Sequence, residues 1–245
     1  MSQSRGSHAV DFMIDQNEAA VDRLVGSAAE LSDDQMREPS LLPGWSRGHV
    51  LCHLARNADG LLNLLTWAET GVETPQYPSV DARNADIEAG ADRSAEELTA
   101  DIASSAKAFS ARARALPDEA WLNEVRAIRG PAHPAWFVLN RRLFEVEVHH
   151  ADLGANYGPQ NWPDWFVSDE LYRVTGEYTQ NPASPAAVLN DIKSGRQYFL
   201  RVSDASATAI TGAGYALLAW LIGRESEGEL SVDPAGPLPD IPSYG

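Results

Sequence analysis

Two helical stretches about ninety residues apart constrain this chain more than any other feature. They are Gly48-His49-Val50-Leu51-Cys52-His53-Leu54 and Arg142-Leu143-Phe144-Glu145-Val146-Glu147-Val148-His149-His150-Ala151-Asp152-Leu153. In the second, Glu145 and His149 are four residues apart, so a helix stacks them on one face. A third ligand must come from elsewhere. His53 is the best candidate, because it sits on an otherwise apolar helix face of Val50, Leu51, Leu54, Leu61 and Leu64. Two imidazoles and one carboxylate hold a zinc ion with a position left open, as in a catalytic site rather than a structural one. The same donors also suit nickel, iron or manganese. Singly the signals are weak: a lone His on an apolar helix is more often a core residue, and Glu-x-x-x-His is common by chance. His49 and His53 are also four apart and form a competing pair, although His49 falls in the first turn after Ser46, where a solvent-facing His is ordinary.

Charge and cysteine content exclude other chemistries. A formal charge of −16 argues against nucleic acid, which demands a basic surface to release counterions. The same charge repels an anionic substrate at long range, so a site for one must be locally positive. The single cysteine, Cys52, rules out an internal disulfide and a Cys-rich zinc site. It lies about 100° around the helix from His53 and reads as a core residue. No apolar run approaches the roughly 18 to 20 residues that cross a bilayer. The polar, acidic N-terminus has no signal-peptide core, so a cytoplasmic protein is expected.

Helix punctuation sets the architecture. An amphipathic helix is expected from about His8 to Leu31, and a second from the Ser46 cap to about Glu69, stopped by Gly71. Pro75 and Pro78 keep the next stretch extended before a short helix. Ser94-Ala95-Glu96-Glu97 is a capping box that opens a helix to about Leu116, ended by Pro117. The ligand helix then runs from about Ala135 to Leu153 and stops at Gly154. Four long helices and one short one make a bundle with ligands projecting into its core. After the linker Gly158-Pro159-Gln160-Asn161-Trp162-Pro163, the pattern changes to a helix over Trp165 to Tyr178 and strands at Gln197 to Val202, Ala207 to Thr211 and Glu229 to Val232. An apolar helix lies between the last two, from Gly214 to Gly223, and a proline-rich tail along the surface follows. The fold class is α+β, with a helical bundle over 1–157 and a small α/β domain over 158–245.

The run Leu42-Pro43-Gly44-Trp45-Ser46-Arg47-Gly48-His49-Val50-Leu51-Cys52-His53-Leu54-Ala55-Arg56-Asn57-Ala58-Asp59 resembles the second helix of the mycothiol-dependent maleylpyruvate isomerase family, a branch of the DinB-like metal-binding bundles. Glu145-x-x-x-His149-x-x-Asp152-Leu153 resembles that family's second ligand motif. Glu73-Thr74-Pro75-Gln76-Tyr77-Pro78 with Arg83-Asn84, and Leu217-Leu218-Ala219-Trp220-Leu221-Ile222-Gly223-Arg224, extend the similarity nearly end to end. The resemblance implies zinc on His53, Glu145 and His149, and it favours His53 over His49. It also implies mycothiol, a low-molecular-weight thiol, as cofactor, and a small anionic electrophile as substrate.

Arg224 is implied as the catalytic cation that takes the substrate's anionic end, with Arg83 and Arg56 as weaker alternatives. Asn57, four residues after His53 on the same face, and Arg83 are candidates for the cofactor pocket. Asp152, three residues after His149, either accepts that imidazole's other N–H or is a helix-end carboxylate with no role in the site. Arg142 is either a partner of Glu145 or one half of a surface ion pair. The reaction implied is conversion of maleylpyruvate to fumarylpyruvate by thiolate addition, bond rotation and elimination. A mycothiol S-transferase and a metal-binding protein without turnover are the alternatives.

Overall fold

The computed structural model describes residues 3–201, 207–224 and 228–244, with side chains from His8 onward. The chain divides into two compact units, Met1–Gly158 and Pro159–Gly245.

In the first unit, α1 (Gln3–Ala29) buries Ile14, Asn17, Val21, Leu24 and Ala28, one stripe at helical spacing. A five-residue helix, α2 (Asp33–Arg37), follows under a Ser32–Gln35 capping box. At five residues it is too short to show helical periodicity in the sequence. Ser46 caps α3 (Arg47–Thr70), and Gly71 ends it in the left-handed region at φ 70°. Ser79 caps α4 (Val80–Gly90), and Ser94 with Glu97 boxes the start of α5 (Ala95–Ala115). The polar connection after Pro117 is more ordered than expected: a 3-10 turn leads into a two-stranded ladder of β1 (Glu124–Val125) and β2 (His133–Pro134). It delivers α6 (Phe137–Asp152).

Helix α3 is the axis of the bundle. It is buried on almost every side, packs against both α5 and α6, and contributes Leu61, Leu64 and Leu65 to a core shared with Phe109, Trp121, Val138 and Leu139. Helix α1 closes the bundle against α5 and α6. A polar residue on α3 that faces α6 is therefore buried by the fold itself, which is what isolates His53.

In the second unit, α7 (Asp164–Gln180) and α8 (Gly214–Leu221) pack on a four-stranded sheet in the order β4 (Gln197–Leu200), β3 (Ala187–Asp191), β5 (Thr208–Gly212), β6 (Leu230–Asp233). Strands β3 and β5 are parallel, and the outer pairs are antiparallel. Strand β3 is internal yet has a weak strand signature, because Ala187-Val188-Leu189 runs into Asn190-Asp191, a poor strand former. Ladders on both sides impose the strand. Val202, expected to extend β4, lies outside the described residues. The tail lies against α7, where Tyr178 Oη donates to Pro242 O at 2.9 Å. Among the described residues, no helix is long and apolar enough to cross a membrane.

Candidate metal centre

Packing of α3 on α6 brings His53, Glu145 and His149 together, with one ligand atom from each lying within 4.8 Å of the others. His53 Nε2 is 2.9 Å from Glu145 Oε2, and His149 Nε2 is 3.4 Å from the same oxygen. The two imidazoles meet edge to face with centroids 4.8 Å apart. Asp152, which is 1% exposed, accepts a hydrogen bond from His149 Nδ1–H at 2.7 Å, and this orients Nε2 toward Glu145. Asp152→Ala is expected to weaken zinc binding about 10- to 100-fold, the usual cost of losing a carboxylate behind a ligand imidazole. Competition against a chelating indicator measures it.

Electrostatics separate the two imidazoles. Burial pushes His53 down, and the nearby His149 and Arg83 add to this. Its bond to Glu145 offsets only part of the shift, and the ring sits at about 4. Burial acts on His149 in the same direction, but the carboxylates of Asp152 and Glu145 outweigh it and hold this ring up to about 9. Glu145 would be raised by burial, yet the two imidazoles hold it well below the ordinary carboxylate range. Without metal, the triad is therefore an ionised Glu145 between a protonated His149 and a neutral His53.

The donors fit a divalent cation. Arg83 Nη2 donates to His53 Nδ1 at 3.0 Å, so the His53 proton sits on Nε2 and is given to Glu145. A cation held by His53 Nε2 would displace that proton, which would move the ring proton to Nδ1 and remove the acceptor of Arg83. Arg83 thus stands at the triad, its guanidinium 5.9 Å from the Tyr77 ring centroid. Tyr77 lies close on α3 because Gly60 has no side chain to hold it off: a Cβ there would come within 2.9 Å of the ring. Trp45 presses edge-on against His53 with centroids 5.5 Å apart. It precedes the helix cap, so no periodicity marked it.

Other named residues have different partners. His49 belongs to the cap, with Ser46 Oγ 2.7 Å from Nδ1 and Glu88 Oε2 3.2 Å from Nε2. Arg56 is taken by Asp101 at 2.7 Å and Asp59 at 3.2 Å. Cys52 is buried, with Sγ 3.7 Å from Asp86 O. Glu147 and His150 face away from the triad, toward Arg23 and Tyr157 and toward Ser27 respectively. Asn57 gives its amide oxygen to Arg142 Nη1 at 2.9 Å. The expectation of a surface ion pair for Arg142 is overturned: the side chain is 1% exposed, because it projects from α6 into the α3 interface. Arg224 follows α8 in the second unit, and its Nη1 donates to Ile222 O at 2.8 Å.

The family model for the mycothiol maleylpyruvate isomerase N-terminal domain matches residues 18–154. The crystal structure of a mycothiol-dependent maleylpyruvate isomerase is similar at a TM-score of 0.88 and 27% identity, over 96% of this chain and 97% of that one. The structure of a histidine-to-alanine mutant of such an enzyme is similar over the same shares, at a TM-score of 0.88 and 26% identity. Comparison with curated proteins gives no match. With the family model spanning more than half of its length, this chain belongs to the mycothiol maleylpyruvate isomerase family.

Proposed function

We propose that this protein is a metal- and mycothiol-dependent cis–trans isomerase that converts maleylpyruvate to fumarylpyruvate in the cytoplasm. The observation that carries the reading is the triad of His53, Glu145 and His149, three donors gathered from two helices and oriented from behind by Asp152. A divalent cation in that position keeps a coordinated thiol deprotonated at neutral pH. The chain offers no competing nucleophile there, since its one cysteine is buried against the Asp86 carbonyl.

Mycothiol sulfur adds to the carbon–carbon double bond, forming a C–S bond and moving the π electrons onto the conjugated carbonyl as an enolate. The former double bond is now single and rotates. Collapse of the enolate expels the thiolate and restores the double bond in the trans geometry, so thiol is not consumed. Arg224 is assigned the substrate's anionic end and the enolate charge, on the family resemblance. Arg83, which donates to His53 Nδ1 at 3.0 Å, is assigned to the thiol pocket. Asn57, one turn along α3 from His53, is assigned to the same pocket, with its amide oxygen accepting from Arg142 Nη1.

The test is an absorbance assay of maleylpyruvate conversion by zinc-loaded protein with and without mycothiol. Turnover that requires the thiol and disappears in His53→Ala is expected. A protein that holds zinc and thiol but leaves maleylpyruvate unchanged would overturn the isomerase reading in favour of thiol transfer to another electrophile.

A further inference from the structure

The connection from α3 to α4 doubles back along α3, held there by Asn63 Nδ2, which donates to Pro75 O and Gln76 O at 3.4 Å. It leaves a cavity of about 160 Å³ between Trp67 on α3, the loop residues Glu73, Gln76 and Tyr77, and Arg126 and Ile128 beyond β1. None of these walls belongs to the triad. Glu73, Arg126 and Ile128 are exposed, so a small molecule reaches the cavity directly from solvent. Gln76 is only 6% exposed, and its Oε1 accepts from Ile128 N at 3.0 Å. Its Nε2 has no partner among the described residues and is not sealed from solvent.

The lining selects a chemical class. Glu73 only accepts hydrogen bonds and Arg126 only donates them, and among the described residues neither makes an ion pair. A net anion meets the Glu73 carboxylate and a net cation meets the Arg126 guanidinium, so the rim favours a ligand without net charge. That ligand must accept from Arg126 and from Gln76 Nε2 and donate to Glu73. Neighbouring hydroxyls do both. The electron-rich faces of Trp67 and Tyr77 suit the C–H face of a saturated ring. The volume is well under the roughly 300–1,000 Å³ that encloses a drug-sized ligand, so the cavity takes one ring. A small zwitterionic amino acid matches the two charges, but ion pairs at an exposed rim contribute little, and it leaves the aromatic walls uncovered.

We infer that this cavity is a seat for one uncharged polyhydroxylated ring, with Trp67 and Tyr77 against its faces and Glu73, Gln76 and Arg126 on its hydroxyls. The seat is separate from the metal centre and does not depend on the proposed reaction. A free polyol and the polyol portion of a larger ligand offer the same chemistry. Tyr77 also borders Arg83, whose guanidinium is 5.9 Å from the Tyr77 ring centroid and whose Nη2 is 3.0 Å from His53 Nδ1. A thiol with its sulfur at the triad is therefore one source of such a ring.

Titration with myo-inositol, read by NMR of the nitrogen-labelled protein, tests the seat without metal, thiol or turnover. Shifts are expected at the Gln76 side-chain amide, the Trp67 indole N–H and the Ile128 backbone N–H. They should saturate with a roughly millimolar Kd, as befits a ligand of about a dozen non-hydrogen atoms. Arg126→Met, at an exposed position, is expected to weaken binding about tenfold, the worth of a hydrogen bond to a charged group. No saturable shift at these three groups in the parent would overturn the inference, and so would an affinity unchanged in Arg126→Met. Tighter binding of alanine than of inositol would also overturn it, in favour of a zwitterion site. In the zinc-loaded protein, displacement of inositol by mycothiol assigns the ring to the thiol, and simultaneous binding of the two assigns it to a free polyol.

Discussion

Replacing His53 by alanine is expected to weaken zinc binding at least about a hundredfold, while His49→Ala leaves it within about threefold. The two histidines lie four residues apart on one helix, and only their surroundings tell them apart. His53 faces α6 and meets Glu145 at 2.9 Å, whereas His49 is spent on the Ser46 cap and on Glu88. Structural zinc sites bind with roughly 10 to 16 kcal/mol from four ligands, so one ligand carries about 3 kcal/mol, or a factor of about a hundred. Removing His49 instead costs part of a helix cap, roughly 1 kcal/mol of stability, with the metal donors untouched. Metal content after dialysis against a chelator of graded strength separates the two variants. Equal retention in both would remove His53 from the ligand set.

Zinc affinity is also expected to fall about tenfold for each pH unit below pH 9, a loss of about a hundredfold over two units. In the metal-free protein, Asp152 and Glu145 hold His149 up to about 9, so near neutrality the ring carries a proton that the metal must displace. His53 sits at about 4 and adds no such competition. Binding at neutral pH should therefore release about one proton, measurable by calorimetry in buffers of different ionisation enthalpy. Stability without metal responds oppositely on the two flanks. The raised His149 contributes stability that is complete below its unfolded value near 6.5 and lost as pH rises through 9. His53 and His150, both pushed down to about 4, contribute stability that is complete above 6.5 and lost as pH falls through 4. Affinity that does not vary with pH would mean His149 is already neutral before metal arrives.

Local chemistry explains which parts of the molecule were readable. Ser46, Ser94 and Gly71 announce helix ends through their own side chains or their lack of one, and the helices begin and end within a residue or so of where these signals stand. Glu145, His149 and Asp152 were readable for a related reason, since spacings of three and four on one helix determine their geometry before any tertiary contact forms. The pairing of Arg142 with Asn57 and the Leu54 carbonyl was not readable. An arginine near a glutamate on a helix looks the same whether the face is solvated or buried, and only the packing of α6 on α3 decides. Arg83 reaches His53 Nδ1 from a separate helix, α4, and Trp45 reaches it from a turn, so neither contact has a sequence spacing that could mark it. Arg56 shows the converse, a plausible anion binder whose charge is already taken by Asp101 and Asp59. Strand β3 was hidden because neighbouring ladders, rather than its own composition, make it a strand.

The proposed function requires the triad to hold a metal that binds a thiol. Titrating cobalt-substituted protein with mycothiol, read by absorption, tests it most directly. A sulfur-to-cobalt charge-transfer band is expected that grows to one thiol per cobalt in the parent and is absent in His53→Ala. A bound cobalt whose spectrum is indifferent to mycothiol would contradict it.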